Sequence, residues 1–121
     1  MSNGFYIVEN ETGQIVGFAS GGRERTGKYL NCGELYAIYI LQTYQRQGLG
    51  YRLMTQVATK LVKLGINSML VWVLADNPAC QFYQSLGGLQ VDEKQQEFGK
   101  VGLVEIAYLF KDMRSLRLQH E

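Results

Sequence analysis

A chain of 121 residues has room for one domain with its own core and too little for two, and 46% hydrophobic against 19% charged residues, with one proline, excludes long disorder. A net charge of +1 lacks the broad basic surface that nucleic acid or an anionic membrane requires, and no apolar run is long enough to span a bilayer. Cys32 and Cys80 form no CxxC pair, so neither a zinc site nor a disulfide framework is expected; the start, MSNGFYIVEN, has no basic and apolar leader, and the expectation is a single soluble, cytoplasmic domain over residues 1–121.

Phe5 to Val8 and Ile15 to Ala19 are β-branched and aromatic runs on either side of a turn-forming stretch, Asn10 to Gln14, and read as a hairpin. Gly21 to Gly33 is polar and charged, a loop that fits either a solvated connection or an approach to a ligand. Glu34 to Leu41 is apolar at nearly every position after the glutamate, as in a strand covered on both faces. Leu49, Leu53, Met54, Val57, Ala58, Leu61 and Val62 then recur at helical spacing, with Gly65 as the expected C′ stop.

Met69 to Ala75 is a second continuously apolar strand, so two buried strands joined by one helix predict a parallel pair with a right-handed crossover. Asn77-Pro78 predicts a helix start, Asn as N-cap and Pro at the first helical position, and the helix stops at Gly87-Gly88. A last hairpin follows: Leu89 to Glu97, a turn at Phe98-Gly99-Lys100, and Val101 to Phe110, with residues 112–121 expected to fray. The whole is an α+β fold, a mixed, mostly antiparallel sheet with one parallel βαβ crossover and helices packed on it.

Chemistry is most visible at the junction Tyr44 to Met54, YQRQGLGYRLM. Gly48 and Gly50 let the backbone curl and approach a ligand, and the helix starting there offers unpaired N–H groups and a positive dipole end to an anion. The same glycines also suit a plain tight connection, so residues elsewhere must decide.

Four features stand in order: Glu34 opening a strand, Gln45-Arg46-Gln47-Gly48-Leu49-Gly50 at its end, an N-capped helix after the next strand, and Phe82-Tyr83 within it. Together they resemble the GCN5-related N-acetyltransferase (GNAT) superfamily over about residues 4–110. The first run fits its (Arg/Gln)-x-x-Gly-x-(Gly/Ala) acyl-CoA motif, and Asn77 through Tyr83 fits its Asn…Phe-Tyr segment.

The resemblance implies an acetyl-CoA-dependent N-acetyltransferase in which a primary amine attacks the thioester directly in a ternary complex, with no metal. It places the CoA pyrophosphate on backbone groups of Gln45, Arg46, Gln47, Gly48, Leu49, Gly50 and Tyr51, and main-chain groups of Ile38, Tyr39 and Ile40 along the pantetheine arm, the Ile40 amide polarising the carbonyl. Arg46 and Arg52 stand near the outer phosphates or simply in solvent. It makes Tyr83 the general acid for the departing thiolate, where packing on the sheet also explains a tyrosine, and Asn77 a cofactor contact as well as a cap.

Glu34 matches the general base of the histone-acetyltransferase branch, with a water chain or the Tyr36 and Tyr39 hydroxyls as competitors and a solvated strand end as the plain alternative. Nothing beside either cysteine activates it as a nucleophile. Members of the superfamily normally carry a strand and two helices ahead of the first hairpin here, so an exposed sheet edge and an uncovered sheet face are expected, with a homodimer to cover them. Gly88 stands where an aromatic residue is common. The acceptor is a small-molecule or peptide amine whose identity the sequence does not name. The rival class is a non-catalytic or partner-dependent acyl-CoA-binding module of the same fold, and no G-x-G-x-x-G or P-loop signature points to a nucleotide-binding domain.

Overall fold

A computed structural model describes residues 4–99 and 101–113. In chain order the elements are β1 (Gly4–Glu9), β2 (Ile15–Arg23), β3 (Cys32–Ile40), α1 (Leu49–Lys63), β4 (Ser68–Leu74), α2 (Ala79–Ser85), β5 (Leu89–Phe98) and β6 (Val101–Phe110), with a 3₁₀ turn at Gln42–Tyr44. The described strands form one sheet ordered β1-β2-β3-β4-β6-β5, in which β3 and β4 are parallel and every other neighbouring pair is antiparallel. This is the expected element order, with the βαβ unit running β3-α1-β4.

Helix α1 buries Leu53, Met54, Val57, Ala58 and Leu61 against the sheet, where Ala19, Leu35, Met69 and Val71 meet it. The helix ends as its sequence predicts: Gly65 takes φ 83°, its N–H reaches the Val62 carbonyl, and the Ile66 N–H reaches that of Leu61. That is a Schellman closure, which satisfies carbonyls the helix leaves open. Helix α2 closes the same way at Gly87, and Gly88 has no room for a side chain because a Cβ would stand 2.9 Å from the Tyr83 carbonyl and 3.1 Å from Phe110 Cζ. The Phe110 ring thus fills the corner where the sequence comparison expected an aromatic at position 88.

The loop expected over Gly21–Gly33 is shorter. Gly21 and Gly22 continue β2, paired with Leu35 and Glu34, and β3 begins at Cys32. A Cβ on Gly21 would collide with Val57 of α1 and the Glu34 carbonyl, and one on Gly33 with Leu61. Here glycine marks close helix-to-sheet approach and not a turn.

The opposite face is built differently. Cys32, Leu70 and Ala107 form a small second core under Tyr29, Trp72 and Leu109. Beside it Phe5, Phe18 and Tyr39 stack with centroids 5.9 and 6.1 Å apart, Phe5 remaining 65% exposed at the free β1 edge. In the closing segment Met113 is fully buried and its N–H bonds the Asn67 carbonyl, so the chain is docked at least that far. Residues 114–121 of the tail expected to fray, and Lys100 of the last turn, lie outside the described residues.

Candidate active site

Pairing between β3 and β4 covers only Cys32–Ser68 through Leu35–Val71. There β3 carries a bulge: Leu35 stands opposite Gly21 and Ala37 opposite Ser20, leaving Tyr36 as the extra residue. A bulge bends its strand, and beyond it β3 and β4 part. The gap is a cleft of about 300 Å³ lined by residues of both sheet faces, among them Ile38 and Tyr83 on the helix side and Tyr36, Trp72 and Glu105 on the other. Two larger cavities, of about 470 and 440 Å³, run along β1 and the first turns of α1 and share no residue with it.

Backbone alternation sorts the three expected main-chain stations. The Leu41 N–H bonds the Val16 carbonyl, so Leu41 and Tyr39 turn their amides toward β2, while Ile38 and Ile40 turn theirs toward the gap. Tyr39 is therefore spent on the sheet, its main chain on β2 and its ring on Phe18. The Ile40 carbonyl accepts a hydrogen bond from Gln45 Nε2 at 3.0 Å, which ties the turn back to the strand end and gives Gln45 a structural task.

Past this tie the turn curls through two left-handed residues, Arg46 at φ 65° and Gly48 at φ 79°. A left-handed arginine is costly, and such costs gather at ligand sites. Gly48 caps α1, and the first intrahelical donor is Arg52, so the Leu49 and Gly50 amides of the first turn have no partner within the helix. At Gly50 the packing does not require glycine: a Cβ there would meet only Phe82 Cζ, at 4.0 Å, so the fold has space for a side chain. Arg46, Gln47 and Arg52 are exposed beside this glycine, and Tyr51 follows half-buried.

Across the cleft, Asn77 Oδ1 accepts the Ala79 N–H at 2.8 Å, the capping bond expected of it, and the residue lines the cleft. Tyr83 is buried in the core among Phe82, Tyr108 and Phe110, yet lines the cleft. Among the described residues its hydroxyl has no hydrogen-bond partner, and burial, with a smaller push from Cys80, raises it to about 12. It stays protonated at any working pH.

Glu34 is buried too, but on the face away from α1, and both its oxygens are engaged. Arg25 Nη2 lies 2.7 Å from Oε2, while Arg25 Nε and its backbone N–H reach Oε1 at 3.4 and 3.1 Å. Arg25 also lies 4.2 Å over the Tyr36 ring, and Tyr36 donates its hydroxyl proton to the Arg23 carbonyl at 2.6 Å. Neither Glu34 nor Arg25 lines the cleft. Burial, and then Glu34, push the Tyr36 phenol up, so it is a poor competitor as a base. Of the thiols, Cys32 is buried and pushed up by that burial, which leaves it inert.

Trp72 and Glu105 do line the cleft and were missed in the sequence. Glu105 had a signal: it is the one charged residue in β6, VGLVEIAYLF, where the apolar run gives it no reason to be. Among the described residues no group of acidic, histidine and cysteine side chains could hold a metal ion.

The sheet thus opens at a bulge between two parallel strands, with a glycine-containing helix start after the first of them and a buried tyrosine on the wall of the opening. The family model described as FR47-like protein matches residues 23–98, and the chain belongs to that family, within the GNAT superfamily. It is 39% identical over 114 residues to the Bacillus subtilis (strain 168) protein named uncharacterized N-acetyltransferase YuaI, covering 94% of this chain and 66% of the relative. The chain therefore spans a little less than two thirds of that protein. An N-acetyltransferase structure from Staphylococcus aureus Mu50 superposes with a TM-score of 0.76 at 18% identity, over 88% of this chain and 66% of that one. A GNAT superfamily phosphinothricin acetyltransferase from Sinorhizobium meliloti, solved with AcCoA, does so with a TM-score of 0.73 at 16% identity, over 89% and 60%. Both show the same fold.

Proposed function

We propose that the chain is an acetyl-CoA-dependent N-acetyltransferase acting on a primary amine by direct attack. The observation that supports this reading is the cleft between β3 and β4, lined by a buried, protonated Tyr83 on one face and by Trp72 and Glu105 on the other. The Leu49 and Gly50 amides hold the pyrophosphate, with Arg46 and Arg52 at the outer phosphates. Ile38, Ile40 and Asn77 hold the arm, and the Ile40 amide meets the oxygen that gains charge. The neutral amine adds to the thioester carbonyl, the C–S bond breaks, and the Tyr83 hydroxyl hydrogen-bonds the departing sulfur. Holding both reactants in one cleft supplies much of the rate.

Between the two routes for the amine's proton, Glu34 or a chain of water, the geometry favours water, because Arg25 occupies both Glu34 oxygens. Glu34 then positions Arg25 and the β3 wall. The test is an amine screen with acetyl-CoA that reads free thiol, joined to a pH profile of Glu34→Gln. No turnover with any small-molecule or peptide amine refutes the reading, and a lost alkaline-rising limb in Glu34→Gln returns the base to Glu34.

The same proposal places the protein in the cytoplasm, where its two free thiols stay reduced, and as a homodimer through the β1 edge and the Phe5–Phe18–Tyr39 face. Sedimentation at increasing concentration checks the second point. A non-catalytic acyl-CoA-binding module is the second reading, favoured by the engagement of Glu34. Calorimetric binding of acetyl-CoA without turnover would select it.

A further inference from the structure

On the face away from α1 one arrangement occurs twice beside the cleft: an aromatic ring that lines it, with a carboxylate and a cation next to the ring. On the β3 side these are Tyr36, Glu34 and Arg25. On the β4–β6 side the Lys94 ammonium lies 4.3 Å from the Trp72 ring centroid and 3.9 Å from Glu105 Oε1. Register brings the second group together, with Leu74 and Lys94 both opposite Glu105, and Trp72 two residues away on the same face of β4.

The two groups differ in how firmly the cation is held. Arg25 is bonded through two side-chain nitrogens and its own amide, a rigid fork on a buried carboxylate. Lys94 stands 3.9 Å from its carboxylate, beyond hydrogen-bond length, on a flexible side chain that is 44% exposed. An ammonium at that spot is attracted by the ring and by the carboxylate and fully bonded to neither, so another ammonium can replace it.

We infer that Trp72 and Glu105 form the arrival subsite of the acceptor, which is a primary alkylammonium on an unbranched chain, and that Lys94 is the resident ion it displaces. The inference rests on the acetyltransferase reading and names its substrate class. Acetylation converts the ammonium into a neutral amide, which both the ring and the carboxylate hold less well, so the same site favours entry of substrate over return of product. The neighbouring carboxylate on this face, Asp92, is already taken by Lys28 and the Tyr29 hydroxyl, both at 2.7 Å, and does not compete.

Trp72 is the only tryptophan in the chain, so its fluorescence reads the subsite without turnover. The full chain is titrated with n-butylammonium, 1,4-diaminobutane and, as the neutral control, 1-butanol. The expected result is a saturable change in emission with both amines and none with butanol, about ten-fold tighter in Lys94→Ala and about ten-fold weaker in Glu105→Gln. Equal affinity in all three proteins, or an equal response to butanol, overturns the inference, provided thermal melts show the variants folded; Trp72→Phe melted alongside separates a packing defect from a lost subsite. Turnover supplies the second arm, with the Michaelis constant for butylamine following the same order and that for acetyl-CoA unmoved. Ordered fluorescence without any acetylated product would leave the subsite standing and remove the transferase reading, whereas turnover indifferent to Lys94→Ala and Glu105→Gln would do the reverse.

Discussion

Replacing Tyr83 by phenylalanine removes one oxygen from the cleft wall and nothing else. The ring keeps its neighbours Phe82, Tyr108 and Phe110 at centroid distances of 5.6, 6.1 and 6.4 Å, and no protein hydrogen bond is lost among the described residues. Stability should therefore stay within about 0.5 kcal/mol of the parent. The catalytic effect follows from the acidity of the phenol. Burial holds it at about 12, whereas a thiol ordinarily titrates near ~8.5, a gap of roughly 3.5 units or ~4.8 kcal/mol against outright proton transfer.

In the proposed mechanism the hydroxyl therefore acts first as a hydrogen-bond donor to the developing thiolate, an interaction with a charged partner that contributes about 1.5–3 kcal/mol. Tyr83→Phe is expected to lower kcat by about 10- to 100-fold, with the Kd for acetyl-CoA little changed. The parent should show no activity limb from this residue below about pH 11. Steady-state rates with the best amine of the screen, a denaturant melt and calorimetry make the measurement. A folded Tyr83→Phe protein within about two-fold of parental kcat would refute the assignment.

Gly50→Ala separates fold from function by sign: alanine is the better helix former by up to about 1 kcal/mol, so stability should hold or rise, while the added methyl at the proposed pyrophosphate site weakens acetyl-CoA binding by about ten-fold in calorimetry. Arg25→Ala leaves the buried Glu34 carboxylate with only a backbone donor, and urea melts should show a loss of about 1–3 kcal/mol. Gly21→Ala drives a methyl into Val57 and the Glu34 carbonyl and should cost about 1–3 kcal/mol, which a turn glycine at this position would not predict. Asp92 is held down to about 2 by hydrogen bonds from Lys28 and Tyr29, below its ordinary 3.8. Its folded value is the lower one, so the tie is complete above about pH 4 and is lost as pH falls toward about 2; carboxyl titration by NMR, with the Tyr29 ring as reporter, should show a midpoint moved back toward 3.8 in Lys28→Met.

Much of this molecule could be read along the chain because the relevant physics is local. Alternation and helical spacing marked the strands and α1, Asn77-Pro78 marked the start of α2, and Gly65 and Gly87 marked stops that need a left-handed residue. The turn into α1 was legible for the same reason, since Gly48, Gly50 and the helix they open lie within a few residues of one another. The loop at Gly21–Gly22 was misread because a glycine that admits a helix looks, in sequence, like one that makes a turn.

By itself, then, the sequence determined the turn and helix start proposed for the donor: a run of adjacent residues sets backbone angles and leaves first-turn amides without a partner in the helix. The wall proposed for the acceptor was decided only by the tertiary structure. A single extra residue at Tyr36 reverses which β3 side chains face α1 and opens the cleft, Arg25 folds back onto Glu34, and three strands in antiparallel register bring Trp72, Lys94 and Glu105 together. Such contacts depend on strand order and on a bulge, and no local pattern carries either.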